Sequence, residues 1–293
     1  MKIQEQKFGV EIELKNIRRI TAAKIIAKYF ATSSHYIGTV YQTYAATDRD
    51  GRVWKAMRDS SINDIDDRQC EIVTPILVYK DIEDLLNIVR LLREAGAEAD
   101  SSCGIHVHVD GANHTPESLT RLLNFAIGRQ DLFYEALEIK GRANRWCRKI
   151  SPKLLAALKH DAEKTKNSTE RIWYSPVNDG YEYGINHEHY NPTRYHGINL
   201  HAFFTKGTVE FRLFNGTTDA DKIKAYIQFC LAMSAWAINA DNKMYYKSCS
   251  DYTSEQKGAL MMRVLTKRLR MVGSEFKTTR QCLTNAFTRP VAA

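Results

Sequence analysis

Apolar residues recur at every second position in four stretches, Lys7–Leu14, Ile105–Val109, Gly197–Phe203 and Thr208–Phe214, which is the period of half-buried strands. Val53–Met57 and Glu71–Pro75 repeat the alternation over shorter spans. Spacings of three and four positions predict helices over Thr21–Ala31, Ile82–Glu94, Pro116–Glu138, Pro152–Lys164, Asp219–Ile238 and Ser254–Met271. Thr115 before Pro116 is a start signal, a hydroxyl cap followed by a proline in the first turn. Strands and helices do not alternate one by one, and the strands cluster at both ends of the first 215 residues. This order predicts an α+β fold built on a largely antiparallel sheet. Between the helices, Trp173–Tyr195 is rich in Tyr, His, Asn and Pro and reads as a long surface loop, a kind of segment that often carries function.

Composition narrows the class. The chain has 293 residues, 44% hydrophobic and 26% charged, which excludes disorder, collagen-like repetition and low complexity. A chain of this length buries about 75% of its unfolded surface and needs no disulfide or metal to hold a core. The longest nearly apolar run, Phe229–Ile238, is broken by Ser234 and is too short to cross a bilayer. Met1–Leu14 alternates charged and apolar residues and does not read as a secretory signal, so a cytoplasmic location is expected. Six scattered cysteines without a CxxC pair read as reduced, structural thiols.

Charge changes the picture more. The net charge of +8 is concentrated in two segments. Lys140–Arg171 holds ten Lys and Arg against three acids, and Asp251–Ala293 holds eight against three, while the rest of the chain is net acidic. The two segments are either solvated helix faces or surfaces for phosphates, nucleic acid or an acidic partner.

The candidate chemistry lies on the polar faces of the predicted strands. Side chains at i and i+2 share one face of a strand. Phe8, Val10, Ile12 and Leu14 therefore form an apolar face, and Glu11 and Glu13 project from the other. The same layout places His106 with His108, Glu210 with Arg212, and Asn199 with His201. One such pair is unremarkable on a wet outer face. Four pairs that mix carboxylate, imidazole and guanidinium point to a site. If Glu11, Glu13 and Glu210 share one concave face, each carboxylate pair about 5 Å apart costs roughly 3 kcal/mol at an effective dielectric of about 20. Bound cations would offset that repulsion; carboxylate oxygens suit Mg²⁺, and a histidine in the set admits Mn²⁺. Arg212 beside such metals suits a phosphoryl group, because its planar fork matches phosphate oxygens. No Walker or dinucleotide glycine motif is present, so a nucleotide would have to be held by the sheet itself.

These segments carry a resemblance. Phe8–Glu13, Trp54–Ile62 with Asp59-Ser60-Ser61-Ile62, Cys70–Pro75, Cys103–Val109, Arg194–Leu200 and Val209–Arg212 resemble, in order, the motifs of the amidoligase family. That family belongs to the carboxylate-amine ligase superfamily of glutamine synthetase and the glutamate-cysteine ligases. The resemblance runs from about Phe8 to Thr217. It implies a glutamine-synthetase-like α+β fold, with an antiparallel sheet curved around ATP and divalent metals and helices packed on one side. It implies ATP-dependent joining of a carboxylate to an amine through an acyl phosphate. By motif position Glu11, Glu13, Glu71, His108 and Glu210 resemble metal ligands. Arg212 resembles the arginine on the transferring phosphate, with His106 on the same nucleotide side; which of His106 and His108 binds metal stays open. Asp59, Arg194 and Asn199 resemble substrate-side or supporting positions.

The expected organisation is a catalytic domain over 1–240, with the basic helical segment 140–171 inside it, and a basic helical extension over 241–293. The amine and carboxylate substrates are expected among amino acids, peptides, proteins and cell-wall precursors. Two rivals from other classes share the same residues: a metal-dependent nuclease using the His-x-His pair, and a nucleic-acid-binding protein built on a ligase-like sheet. Within the ligase reading, Cys103 is a small buried residue beside Gly104, His187 and His189 contact a metal, a substrate or nothing, and His201 hydrogen-bonds inside the sheet.

Overall fold

The computed structural model describes residues 1–139, 141–180, 184–241 and 255–288. The expected helix start at Ser254, the Lys140 end of the first basic segment and parts of the second lie outside the described residues. Among the described residues nine strands form a large, open antiparallel sheet, accompanied by eleven α-helices. The strands are β1 (Lys7–Leu14), β2 (Ser34–Tyr36), β3 (Tyr44–Thr47), β4 (Val53–Met57), β5 (Cys70–Val73), β6 (Leu77–Val78), β7 (Gly104–Asp110), β8 (Ile198–Asn199) and β9 (Thr208–Asn215). Their order is β2-β3-β4-β5-β1-β7-β9-β8, with β6 pairing β1. The α+β expectation holds. The chain divides into two compact units, a sheet unit (Gln4–His108 and Phe214–Ile227) and a helix-rich unit (Met1–Ile3, Val109–Leu213 and Gln228–Ala293).

In the sheet unit, Phe8, Val10, Ile12 and Leu14 of β1 are buried as the alternation requires. Antiparallel register sets Ile12 opposite Ile72 of β5, and Ile72 opposite Ala56 of β4, so one apolar face runs across three strands. Helix α1 (Arg19–Phe30) covers that face: Ala22, Ala23, Ile26, Ala27 and Phe30 are buried, and the Phe30 ring lies 5.6 Å from that of Trp54. It ends where Ala31 takes the left-handed conformation and Thr32 N–H reaches back to Ala27 C=O at 2.8 Å. Helix α2 (Ile82–Glu94) buries Ile82, Leu85, Leu86, Val89 and Leu92 at helical spacing. With the apolar face covered, Glu11, Glu13 and Glu71 share the opposite one.

The helix-rich unit begins with α3 (Pro116–Ile127), whose start matches the cap signal. Thr115 Oγ1 accepts from Ser118 N–H, and Ser118 Oγ accepts from Thr115 N–H. The predicted helix 116–138 is instead two. The helix is interrupted at Gly128 and Arg129 before α4 (Gln130–Ala136), where glycine is a poor interior helix residue; the Arg129 guanidinium lies over the Phe125 ring at 4.5 Å. The core here joins Phe125 to Trp236 (4.4 Å) and Phe133 to Phe229 (5.3 Å), both partners lying on α9 (Ala220–Asn239).

The predicted loop 173–195 contains the end of α6 (Lys166–Trp173), a short α7 (Pro176–Asp179) and a 3-10 turn at Pro192–Tyr195, preceded by α5 (Pro152–His160). The predicted strand Gly197–Phe203 is the largest departure. Only Ile198 and Asn199 are extended, and α8 (His201–Lys206) follows. Asn199 Oδ1 accepts the His201 N–H at 2.7 Å, a local side-chain turn that competes with the ladder and bends the chain into a helix. His201 therefore does not share a strand face with Asn199. Two further helices, α10 (Glu255–Arg268) and α11 (Lys277–Thr284), complete the unit.

Candidate active site

The sheet unit gathers acids and imidazoles on one face. In register, Glu13 of β1 stands opposite Glu71 of β5 and Glu11 opposite Val73. From β7, His106 places Nδ1 3.0 Å from Glu11 Oε2 and Nε2 3.7 Å from Glu13 Oε1, and His108 Nε2 lies 3.2 Å from Glu11 Oε1. Glu13 also accepts the Gly104 N–H at 2.5 Å. Asp59 comes from the turn after β4, where its Oδ1 accepts the Ser61 N–H at 2.7 Å. Within this unit two donor sets result among the described residues, Glu11–Glu71–His106 and Glu13–Asp59–Glu71, each offering one atom per residue within 4.8 Å of the others. Glu71 belongs to both.

These groups are nearly dry: Glu13, Glu71, His106 and His108 are each at most 9% exposed. Burial pushes the Glu11 carboxyl up. The charge of His108 and hydrogen bonds from His106 and His108 outweigh it and hold Glu11 well below the usual carboxylate range. Four carboxylates, Glu11, Glu13, Glu71 and Asp59, share this space with two imidazoles. The donor chemistry, oxygen-rich with one nitrogen, fits Mg²⁺ or Mn²⁺, and the 4.8 Å spread is one a single divalent ion can bridge.

The helix-rich unit holds a different arrangement. Antiparallel pairing sets Asn199 of β8 opposite Glu210 of β9. Asn199 Nδ2 donates to Glu210 Oε2 at 2.6 Å, and Arg212 Nη1 donates to Glu210 Oε1 at 2.6 Å. Arg212 Nε donates to the Trp146 C=O at 3.3 Å, and its guanidinium lies 5.8 Å from the Tyr195 ring centre. Glu210 and Arg212 are almost fully buried. A buried pair of this kind holds its own geometry because both charges are hydrogen-bonded. Arg194 lies between two aromatic rings, Tyr190 and Tyr195, and donates to the His189 C=O at 2.7 Å. It lines a cavity together with Asn199 and Glu210.

The expected residues thus fall into two groups. Glu11, Glu13, Glu71, His106, His108 and Asp59 assemble in the sheet unit, and Glu210, Arg212, Asn199 and Arg194 assemble in the helix-rich unit. Tyr174, whose hydroxyl lies 2.6 Å from His201 Nδ1, and the Trp146 carbonyl carry no local sequence signal. Lys206 also escapes pattern reading, because its approach to the cavity depends on α8 replacing a strand. Cys103 is fully buried and burial raises its thiol pKa, so it stays protonated. A Cβ on Gly216 would come within 2.4 Å of Cys103 Cβ, so both residues are small for packing.

The sequence profile of a family described as putative amidoligase enzyme matches residues 4–234. No curated protein matches the chain.

Proposed function

The chain belongs to the amidoligase family, and from that premise we propose that it is an ATP-dependent carboxylate-amine ligase working through an acyl phosphate. The observation that carries this reading is the pair of donor sets sharing Glu71, a layout suited to two divalent ions. Glu11, Glu71 and His106 would hold one ion and Glu13, Asp59 and Glu71 the other. When bound, such ions neutralise phosphate oxygens and favour phosphoryl transfer. The cytoplasm, which supplies ATP and Mg²⁺, is the compartment this chemistry needs.

The reaction balances in two steps. A substrate carboxylate oxygen bonds to the γ-phosphorus as the bond to the ADP oxygen breaks. The amine nitrogen then bonds to the acyl carbon, inorganic phosphate leaves with the C–O electron pair, and the ammonium formed gives up a proton. Arg212 supplies fixed positive charge for the transferring group, oriented by Glu210 and the Trp146 carbonyl. Glu210, a metal-ligand candidate by resemblance, also orients Asn199. A dry site would protect the acyl phosphate from water.

The test is ATP-dependent coupling of mixed amino acids, peptides and cell-wall precursors, with hydroxylamine added to trap the acyl phosphate as a hydroxamate. ADP and hydroxamate formed together, and lost in Glu71→Gln and Arg212→Ala, are expected. The nuclease reading requires phosphodiester cleavage with metal and no ATP, and that result would replace the ligase reading.

A further inference from the structure

An amine that attacks an acyl carbon must lose a proton, and the residues named so far do not receive it. Arg212 is itself a cation, and both Glu210 oxygens are taken, by Arg212 Nη1 and Asn199 Nδ2, each at 2.6 Å. The other candidates line the cavity that Glu210 shares in the helix-rich unit, a space of about 140 Å³. That volume lies well below the roughly 300 Å³ at which pockets accept a drug-sized ligand, so it suits one end of a molecule.

Three imidazoles line this cavity, and they are held in different ways. His201, on the buried floor, has Nδ1 2.6 Å from the Tyr174 hydroxyl, and its ring is also hydrogen-bonded to the Glu188 backbone. Burial, and then the charges of Arg194 and His187, push its pKa down to about 4, so it is a poor proton acceptor. His189 turns its ring against that of Tyr190, edge to face at 4.6 Å.

His187 is arranged as a base. Its Nε2 lies 2.5 Å from Oε1 of Glu170 on α6, a carboxylate whose side chain is 15% exposed. Because a carboxylate accepts, Nε2 carries the ring proton and Nδ1 is left as the acceptor. Nδ1 has no hydrogen-bond partner among the described residues. The turn that carries the ring is also pinned: Asn186 Oδ1 accepts the Glu188 N–H at 2.7 Å, and the Asn186 C=O accepts from Asn191 Nδ2 at 3.2 Å. With 52% of the His187 side chain exposed, a captured proton has a way out to water. A carboxylate behind an imidazole fixes its tautomer and orientation and stabilises the imidazolium that forms.

We propose that His187 accepts the proton of the attacking amine and that Glu170 is its positioning residue. The proposal rests on the ligase function stated above and deepens it. As the C–N bond forms, the C–O bond to phosphate breaks with its electron pair, and an N–H proton passes to His187 Nδ1. The imidazolium, paired with Glu170, then releases that proton to water. The cavity is accordingly where the amine enters.

The experiment runs the coupling assay with two nucleophiles, the mixed amino acids and peptides on one side and hydroxylamine on the other, in the unaltered chain, His187→Ala and Glu170→Gln. Hydroxylamine is the weaker base and gives its proton directly to water, so hydroxamate reports the acyl phosphate without calling on the acceptor. His187→Ala is expected to lower the ratio of amide to hydroxamate about 10²-fold or more, and added imidazole is expected to restore amide formation. Glu170→Gln should lower the same ratio about tenfold, because a hydrogen bond remains while the charge behind the ring is lost. Equal ratios in the three chains, or a loss that imidazole does not restore, overturn the proposal and leave His187–Glu170 as a clamp on α6, with the ligase intact. Nitrogen NMR spectra of the unaltered chain give a reading that needs no substrate. A proton on Nε2 of His187 is expected, and a proton on Nδ1 in its place overturns the proposal. Neither amide nor hydroxamate from the unaltered chain overturns the ligase reading and the proton acceptor with it.

Discussion

The two groups of acids are solved in opposite ways. Glu210 sits beside a guanidinium and an amide that occupy its two oxygens, whereas Glu11, Glu13, Glu71 and Asp59 crowd one sheet face with two imidazoles among them. In the first group the fold itself brings a cation to the carboxylate. The second sets four carboxylates and two imidazoles on one face, donor groups that suit a divalent ion. The difference teaches that buried carboxylates are accommodated either by a guanidinium the fold brings to hydrogen-bond distance or by a cluster whose donors can share a metal ion.

The largest effect expected from this comparison comes from breaking the Glu210–Arg212 pair. Arg212→Met leaves Glu210 buried without its cation and should cost about 3–5 kcal/mol of unfolding free energy in urea, with turnover reduced about 10²-fold or more. Arg212→Lys keeps a charge without the planar fork and should recover stability ahead of activity. If Arg212→Met unfolds at the same urea concentration as the unaltered chain, the pair is not what organises this region.

The crowded acids should respond in the other direction. Glu71→Gln relieves repulsion toward Glu11, Glu13 and Asp59, so without divalent ions its melting temperature should equal or exceed that of the unaltered chain. Adding Mg²⁺ or Mn²⁺ should stabilise the unaltered chain by about 2.7 kcal/mol at a hundred times its dissociation constant, and Glu71→Gln should lose most of that gain. A melting temperature unmoved by either ion would remove the contrast with Glu210. Chelation should reverse the gain fully.

A pH scan sharpens the picture further, through a group in neither cluster. His114 of the helix-rich unit is buried between Ser118 Oγ and Ser234 Oγ, each at 2.9 Å, and burial, then the Arg121 charge, pushes its pKa down to about 4. The unfolded imidazole takes its proton near pH 6.5, before the folded one does. The stability associated with a neutral His114 is complete above pH 6.5 and is lost as pH falls toward about 4, by roughly 3 kcal/mol. His114→Gln should flatten that window in urea titrations at successive pH values.

The smallest effects belong to the basic helices. Arg263 and Lys267 are exposed on α10 while Met262, Leu265 and Leu269 are buried beneath them, so replacing either cation with Gln should move stability by less than about 0.5 kcal/mol. Any binding of a labelled nucleic-acid strand by the basic segments should weaken steeply with salt. Absence of binding at low salt identifies them as solvated faces.

Much of this protein can be read locally. The pairs Glu11–Glu13, His106–His108 and Glu210–Arg212 follow from the two-residue period of a strand, which depends on backbone geometry alone. The Thr115 cap and the buried stripe of α2 are likewise written in neighbouring residues. Local patterns fail where a side chain redirects the backbone, as Asn199 does in ending β8 and starting α8, and where a short edge strand such as β2 or β6 buries too little to show a period.

What tertiary structure alone decides is which pairs meet. Strand register, a relation between residues far apart in the chain, sets Glu71 opposite Glu13 and Asn199 opposite Glu210, and one residue of slip would turn each set to the wrong face. The turn carrying Asp59 and the helix carrying Lys206 add groups whose positions no periodicity announces. The sequence determines which chemistry each strand displays, because that is a property of a few adjacent residues. Folding determines which displays become a site, because Coulomb energy and hydrogen bonds act over a few ångströms of space, whatever the separation along the chain.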